Sequence, residues 1–215
     1  MIGEFNLRIF RNLVIAFSFA STPCIAIAQQ HTNSPSKNSG PALDVTMKFI
    51  EDKLNEQEDL TYTTTDVSEG TEDSGGGPWG HSANNVHANP ATCLISYHMK
   101  ETIMGSNKLG EQAMISLPDR TGDPIPDRDV SFSLNEVRDL TIRTGLQYMN
   151  DRYARMGSTF TATRVDPPVF VLGARRSGNQ ENIFIFRDEE MANRVAKAML
   201  HAVELCGGGG HPEPF

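Results

Sequence analysis

The chain has 215 residues, with 19 Lys and Arg against 27 Asp and Glu and a formal net charge of -8. This acidic balance argues against nucleic acid as a partner, because phosphate binding needs clustered basic side chains, and against electrostatic docking on anionic lipid. The length suits one domain with a single core, and no run after the N-terminal segment is apolar and long enough to span a bilayer.

The N-terminus reads as a signal peptide over residues 1–28. Arg8 and Arg11 supply its positive region and Leu13 to Ala20 its apolar stretch. Ala26-Ile27-Ala28 then offers the small residues that signal peptidase accommodates, which predicts a cut between Ala28 and Gln29. A lipoprotein reading on Cys24 is weaker, because Pro23 stands where a small flexible residue is wanted. Cleavage leaves Cys93 and Cys206 in an oxidising compartment, where they are expected to form a disulfide. Two buried free thiols are the alternative. Residues 29–41 are mostly Gln, Asn, Ser, Pro and Gly, a composition too poor in apolar side chains to offset chain entropy, and they are expected to be a disordered leader.

Leu43, Met47, Ile50 and Leu54 fall at spacings of four, three and four, which predicts a helix over 43–55. Leu60 to Thr65 is rich in strand-favouring residues. Residues 68–82, around Gly75-Gly76-Gly77 and with Trp79, are expected to be a flexible loop. From Cys93 to Lys100 the pattern alternates, with Cys93, Ile95, Tyr97 and Met99 facing one way. Further strands are expected at 113–117, 130–134, 140–144, 159–164, 169–174 and 182–187, separated by Gly, Pro, Asn and Asp. The last element is a helix. Asp188 is its N-cap, Glu189 and Glu190 suit its first turn, and Met191, Val195, Ala198, Met199, Ala202 and Leu205 repeat at helical spacing. Gly207 ends it.

Residues 42–207 are thus expected to form one α+β domain. A strongly bent antiparallel sheet of seven or eight strands, a sandwich or open barrel, would have an N-terminal helix and a capping C-terminal helix. Residues 208–215 would be a flexible tail.

The run Asp166 to Leu172, the stretch Phe186 to Glu189, and then Ala192-Asn193-Arg194-Val195-Ala196-Lys197-Ala198 and His201-Ala202-Val203-Glu204-Leu205-Cys206-Gly207-Gly208 resemble a group of uncharacterised exported bacterial proteins. The resemblance runs from about Leu43 to Gly208, with Cys93 matching the group's other cysteine. It implies a pleckstrin-homology-like fold, a bent antiparallel sheet capped by one C-terminal helix. It implies no activity and so transfers no functional residues.

Motifs for chemistry are sparse. His31, His81, His87, His98, His201 and His211 form no HExxH pair and no Cys-His cluster, so no metal or cofactor is expected. There is no GxSxG elbow, and a thiol nucleophile at Cys93 or Cys206 would be removed by their disulfide. The glycine runs at 75–77 and 207–210 lack the Lys-Ser/Thr of a phosphate loop. His201 reads as a partly buried histidine of the last helix. Arg175 and Arg176, with Arg152, Arg155 and Arg164, raise local positive charge. An anion or carboxylate site is one reading. A solvated face balanced by Asp151, Asp166 and Glu181 is the favoured one. No residue is assigned a catalytic role.

The expectation is an exported soluble protein, periplasmic or extracellular, acting as a non-enzymatic binding or interaction domain for a peptide, a glycan or an envelope component. An envelope hydrolase and a structural envelope protein are the alternatives.

Overall fold

A computed structural model describes residues 40–57, 59–68, 74–106, 112–116, 126–178 and 180–208. The expected signal peptide with its Ala28/Gln29 cut, the leader up to residue 39 and the tail beyond residue 208 lie outside the described residues. In chain order the elements are α1 (Leu43–Asn55), β1 (Leu60–Ser68), β2 (Ser74–Gly75), β3 (Pro78–Asn89), β4 (Leu94–Ser106), β5 (Gln112–Ser116) and β6 (Arg128–Ser133). A 3-10 turn at Leu134–Glu136 leads to β7 (Val137–Thr144), α2 (Gly145–Met156), β8 (Phe160–Asp166), β9 (Phe170–Arg176), β10 (Glu181–Phe186) and α3 (Glu189–Leu205).

The α+β character and the helix at each end agree with the expectation. Met47, Ile50 and Leu54 are the buried face of α1, as their spacing requires. Asp188 caps α3 by accepting from the Met191 N–H at 2.6 Å, and Gly207 follows the helix with φ of +75°. The described strands number ten rather than seven or eight, and they divide between two antiparallel sheets. The larger has seven strands. Its path runs β2-β1-β3-β4-β5, with β8 added beside β1 and β6 beside β4. The smaller is ordered β10-β9-β7.

Two local expectations are corrected. Residues 68–82 are not a loop throughout, because β2 and β3 fold back on β1 and bury Trp79 opposite Tyr62. The indole is too large to leave in water when a strand can carry it inward. A helix, α2, also separates β7 from β8. Its N-terminus is a capping box: the Thr144 hydroxyl accepts from the Gln147 N–H, and the Gln147 side chain accepts from the Thr144 N–H. Gly157, at φ of +68°, ends it.

Packing follows from β9, whose continuous buried run Val171 to Ala174 marks a strand covered on both faces. Leu172 and Ala174 join the core that holds Val195 and Met199 of α3, whereas Val171 joins the core that holds Tyr148 and Met149 of α2. The first core also contains α1 and a ring cluster in which Phe184 lies 5.1 Å from Tyr97 and 6.4 Å from Phe132, centroid to centroid. Cys93 and Cys206 are disulfide-bonded, with Cα atoms 6.0 Å apart, and tie the end of α3 to the turn before β4. Among the described residues no helix is long and apolar enough to cross a membrane.

Candidate functional site

Alternation along β4 turns Tyr97, Met99 and Glu101 to one face, and β6 sets Arg128 beside Met99 and Val130 beside Tyr97. On α2, Tyr148, Arg152 and Arg155 follow at spacings of four and three and share one stripe. The start of β10 brings Glu181, Asn182 and Ile183, and the end of β9 brings Arg176. These walls enclose a cleft of about 500 Å³. Four arginines, Arg128, Arg152, Arg155 and Arg176, face two glutamates, Glu101 and Glu181. In a chain of net charge -8 this cleft is locally positive.

Arg152 is its floor. Its Nη1 donates to Glu101 Oε1 at 3.0 Å and to the Tyr148 hydroxyl oxygen at 2.9 Å, and its guanidinium lies 5.3 Å from the Trp79 ring centroid. Burial disfavours the guanidinium charge, but the neighbouring Tyr148 and Glu101 outweigh it and hold the Arg152 pKa above its ordinary value. Burial likewise pushes the Tyr97 and Tyr148 hydroxyls up, so both keep their protons at neutral pH. Glu181 accepts from Arg143 Nη2 at 2.6 Å and lies 4.0 Å from Arg155. Arg176 donates from Nη2 to Gln180 Oε1 at 2.8 Å and packs over Phe132.

Three buried donor atoms of these walls have no acceptor among the described residues: Nε of Arg152, Nε of Arg176 and Nδ2 of Asn182. The Asn182 amide is otherwise used only at Oδ1, which accepts from the Tyr97 hydroxyl at 3.5 Å. Buried donors are ordinarily paired, so an unpaired set in one cleft fits a ligand that brings oxygen acceptors. Guanidinium groups match the planar fork of a carboxylate.

The five arginines noted in the sequence divide. Arg152, Arg155 and Arg176 line the cleft; Arg152 and Arg176 are mostly buried and so depart from the solvated face expected of them, whereas Arg155 stays exposed beside Glu181. Arg175 pairs instead with Asp139 at 3.1 Å and Arg164 with Asp166 at 3.3 Å. Asp151 pairs with Arg143 at 3.2 Å. Arg128 was not singled out in the sequence; its one signal is its place two residues before Val130 and four before Phe132, on the inward face of β6.

The histidines do not meet there. His81 is buried on β3, in register with Glu101 on β4, and its ring nitrogens make no well-aligned hydrogen bond among the described residues. His87 Nδ1 lies 3.9 Å from Glu51, and His98 Nδ1 lies 3.0 Å from an Asp129 carboxylate that is 95% exposed. His201 is partly buried, its Nε2 2.9 Å from the Pro41 carbonyl oxygen, so the last residues of the expected leader lie against α3. His31 and His211 lie outside the described residues. Comparison of the chain with protein-family models, curated proteins and solved structures finds no match.

Proposed function

We propose that the chain is a non-enzymatic binding domain that takes a carboxylate-bearing peptide, glycan or other envelope component in the arginine cleft, after export to the periplasm or the medium. The observation that carries this reading is the set of three buried, acceptor-less donors in a cleft where four arginines face two glutamates. A carboxylate arriving there gains charge-assisted hydrogen bonds and relieves donors that folding left unpaired. Both cleft glutamates are already engaged by arginine, which favours binding over acid–base chemistry. The disulfide supports the exported setting. The resemblance of the C-terminal run, with α3 packed on the three-stranded sheet, supports kinship with the exported proteins of pleckstrin-homology-like fold.

The test is calorimetric titration of the full chain with hexaglutamate and with an oligogalacturonate, using hexaglutamine and a neutral oligosaccharide as controls. Saturable binding of an acidic probe alone, weakening with salt, is the expected result. The double variant Arg128→Ala/Arg155→Ala removes two exposed heads that the fold does not need and should weaken binding by about tenfold or more. Equal binding of neutral and acidic probes, or none of either, overturns the proposal.

A further inference from the structure

A second concave site carries the opposite charge. β1 turns Asp66 inward just after an irregularity in its pairing with β8, and the residue is 5% exposed. Its Oδ2 accepts from the Tyr153 hydroxyl at 2.7 Å and from the Thr64 hydroxyl at 3.1 Å. The Thr64 oxygen in turn accepts from Trp79 Nε1 at 3.3 Å. Asp66 Oδ1 is buried and has no partner among the described residues. The carboxylate is therefore fixed by one oxygen and unsatisfied at the other.

Asp66 lines a groove of about 500 Å³ between the Gly75-Gly76-Gly77 turn and the end of α2, and it is the only charged side chain among the described residues that line it. The large side chains of the wall are aromatic and thioether, Trp79, Tyr153, Phe160, Met104 and Met156, with Ile103, Pro78, Ser158 and the three glycines between them. Met156 is 63%, Phe160 46% and Met104 40% exposed, so the apolar rim opens to solvent next to a buried anionic oxygen. Trp79 lines this groove, while the Arg152 guanidinium stacked on its ring lines the arginine cleft.

From this we infer that the groove binds a primary alkylammonium group, with Asp66 as its counter-ion. The ammonium donates to Oδ1 and supplies the missing partner of a desolvated carboxylate oxygen. The faces of Tyr153 and Phe160 attract the cation, and the pliable side chains of Met104 and Met156 cover its alkyl stem. A neutral donor would satisfy the hydrogen bond without the charge. A bare inorganic cation would leave the apolar rim in water. The alkylammonium meets both demands. It could arrive as a free amine or as the side chain of a lysine in a peptide, and the chemistry at Asp66 is the same.

The experiment is NMR or calorimetric titration of the full chain with n-pentylammonium chloride, with n-pentanol as the uncharged control and Nα-acetyl-lysine methylamide as the peptide-borne form. Saturable binding of pentylammonium and not of pentanol is expected. Asp66→Asn keeps the shape and the acceptor for Tyr153 and should weaken that binding at least tenfold. If Asp66→Asn does not fold, Phe160→Ala and Met156→Ala, both at exposed rim positions, should each weaken it several-fold with an unchanged thermal midpoint. Binding of the lysine derivative as tightly as pentylammonium identifies a peptide source, and binding of pentylammonium alone a free amine. No saturable pentylammonium binding, or equal affinity in Asp66→Asn, overturns the inference. Neither result bears on the arginine cleft, which has its own probe.

Discussion

Asn55, the last residue of α1, clamps the backbone of Val86: its Nδ2 donates to the Val86 carbonyl at 2.8 Å and its Oδ1 accepts from the Val86 N–H at 2.9 Å. Val86 sits where β3 slips register against β4 between Asn84 and His87, beside Asn85 at φ of +53°. The bulge leaves the N–H and C=O of Val86 without ladder partners, and one side-chain amide replaces both. Asn150 of α2 repeats the device on Ala162 of β8, at 3.1 and 2.7 Å. The helices α1 and α2 are thus each locked to a strand by a bidentate amide.

Replacing Asn55 with Ala should lower stability by about 2 kcal/mol, since two part-buried backbone groups lose their partners together. Asn55→Asp keeps the acceptor and loses the donor, and should fall between. Urea denaturation of the three proteins measures this. A loss inside the ~0.5 kcal/mol range of ordinary surface changes would mean that water replaces the clamp.

Glu101 and Arg152 form an ion pair with side chains 18% and 16% exposed. Glu101→Gln should cost about 3–5 kcal/mol, because it leaves a buried guanidinium without its carboxylate. Glu101→Leu combined with Arg152→Met should cost less than Glu101→Gln alone, because no buried charge is stranded. Equal losses in the two proteins would show that packing, not charge, dominates there.

The Cys93–Cys206 bond closes a sequence separation of 113 residues. In the chain-entropy model a loop of that size is worth about 4–5 kcal/mol. Reduction, or Cys93→Ser with Cys206→Ser, should lower the denaturation midpoint accordingly. Intact mass with and without reduction before alkylation should show one bridge. Two thiols alkylated without reduction would contradict it.

His81 titrates below its ordinary 6.5, because burial disfavours the imidazolium; the nearby Glu101 opposes this and Arg152 reinforces it, while the Ile183 backbone also favours the charge. The unfolded chain therefore takes up a proton at this histidine before the folded protein does. Its contribution to stability is complete above about pH 6.5 and is lost as pH falls from there toward the folded pKa, with a slope approaching ~1.4 kcal/mol per pH unit. His81→Leu should flatten that part of the profile relative to the parent chain. An unchanged slope between pH 6.5 and 5 would place the effect on other groups.

Periodicity made the helices α1 and α3 legible, together with most strands, because each shows its own pattern within a few residues. Tyr97 and Met99 announce their inward face by alternation alone. The helix α2 was legible in principle, from Thr144 and Gln147 at capping-box spacing and from Gly157, but its polar composition hid the stripe of Tyr148, Met149 and Tyr153. Trp79 beside three glycines has the local signature of a loop, and pairing with β1 and β4 makes it part of a strand. Arg128 and Arg176 are 48 positions apart by their numbers, and nothing local to either says that they share a cleft.

Local pattern and composition are enough to specify the acidic charge, the cysteine pair, the helices α1 and α3 and the antiparallel character of the strands between them. These depend on neighbours along the chain and on composition. Long-range pairing sets the division into two sheets, the meeting of Arg128, Arg152, Arg155 and Arg176, and the burial of Asp66 Oδ1 without a partner among the described residues. A charge gains or loses its function through the solvent and the charges around it, and β-pairing across long separations sets both.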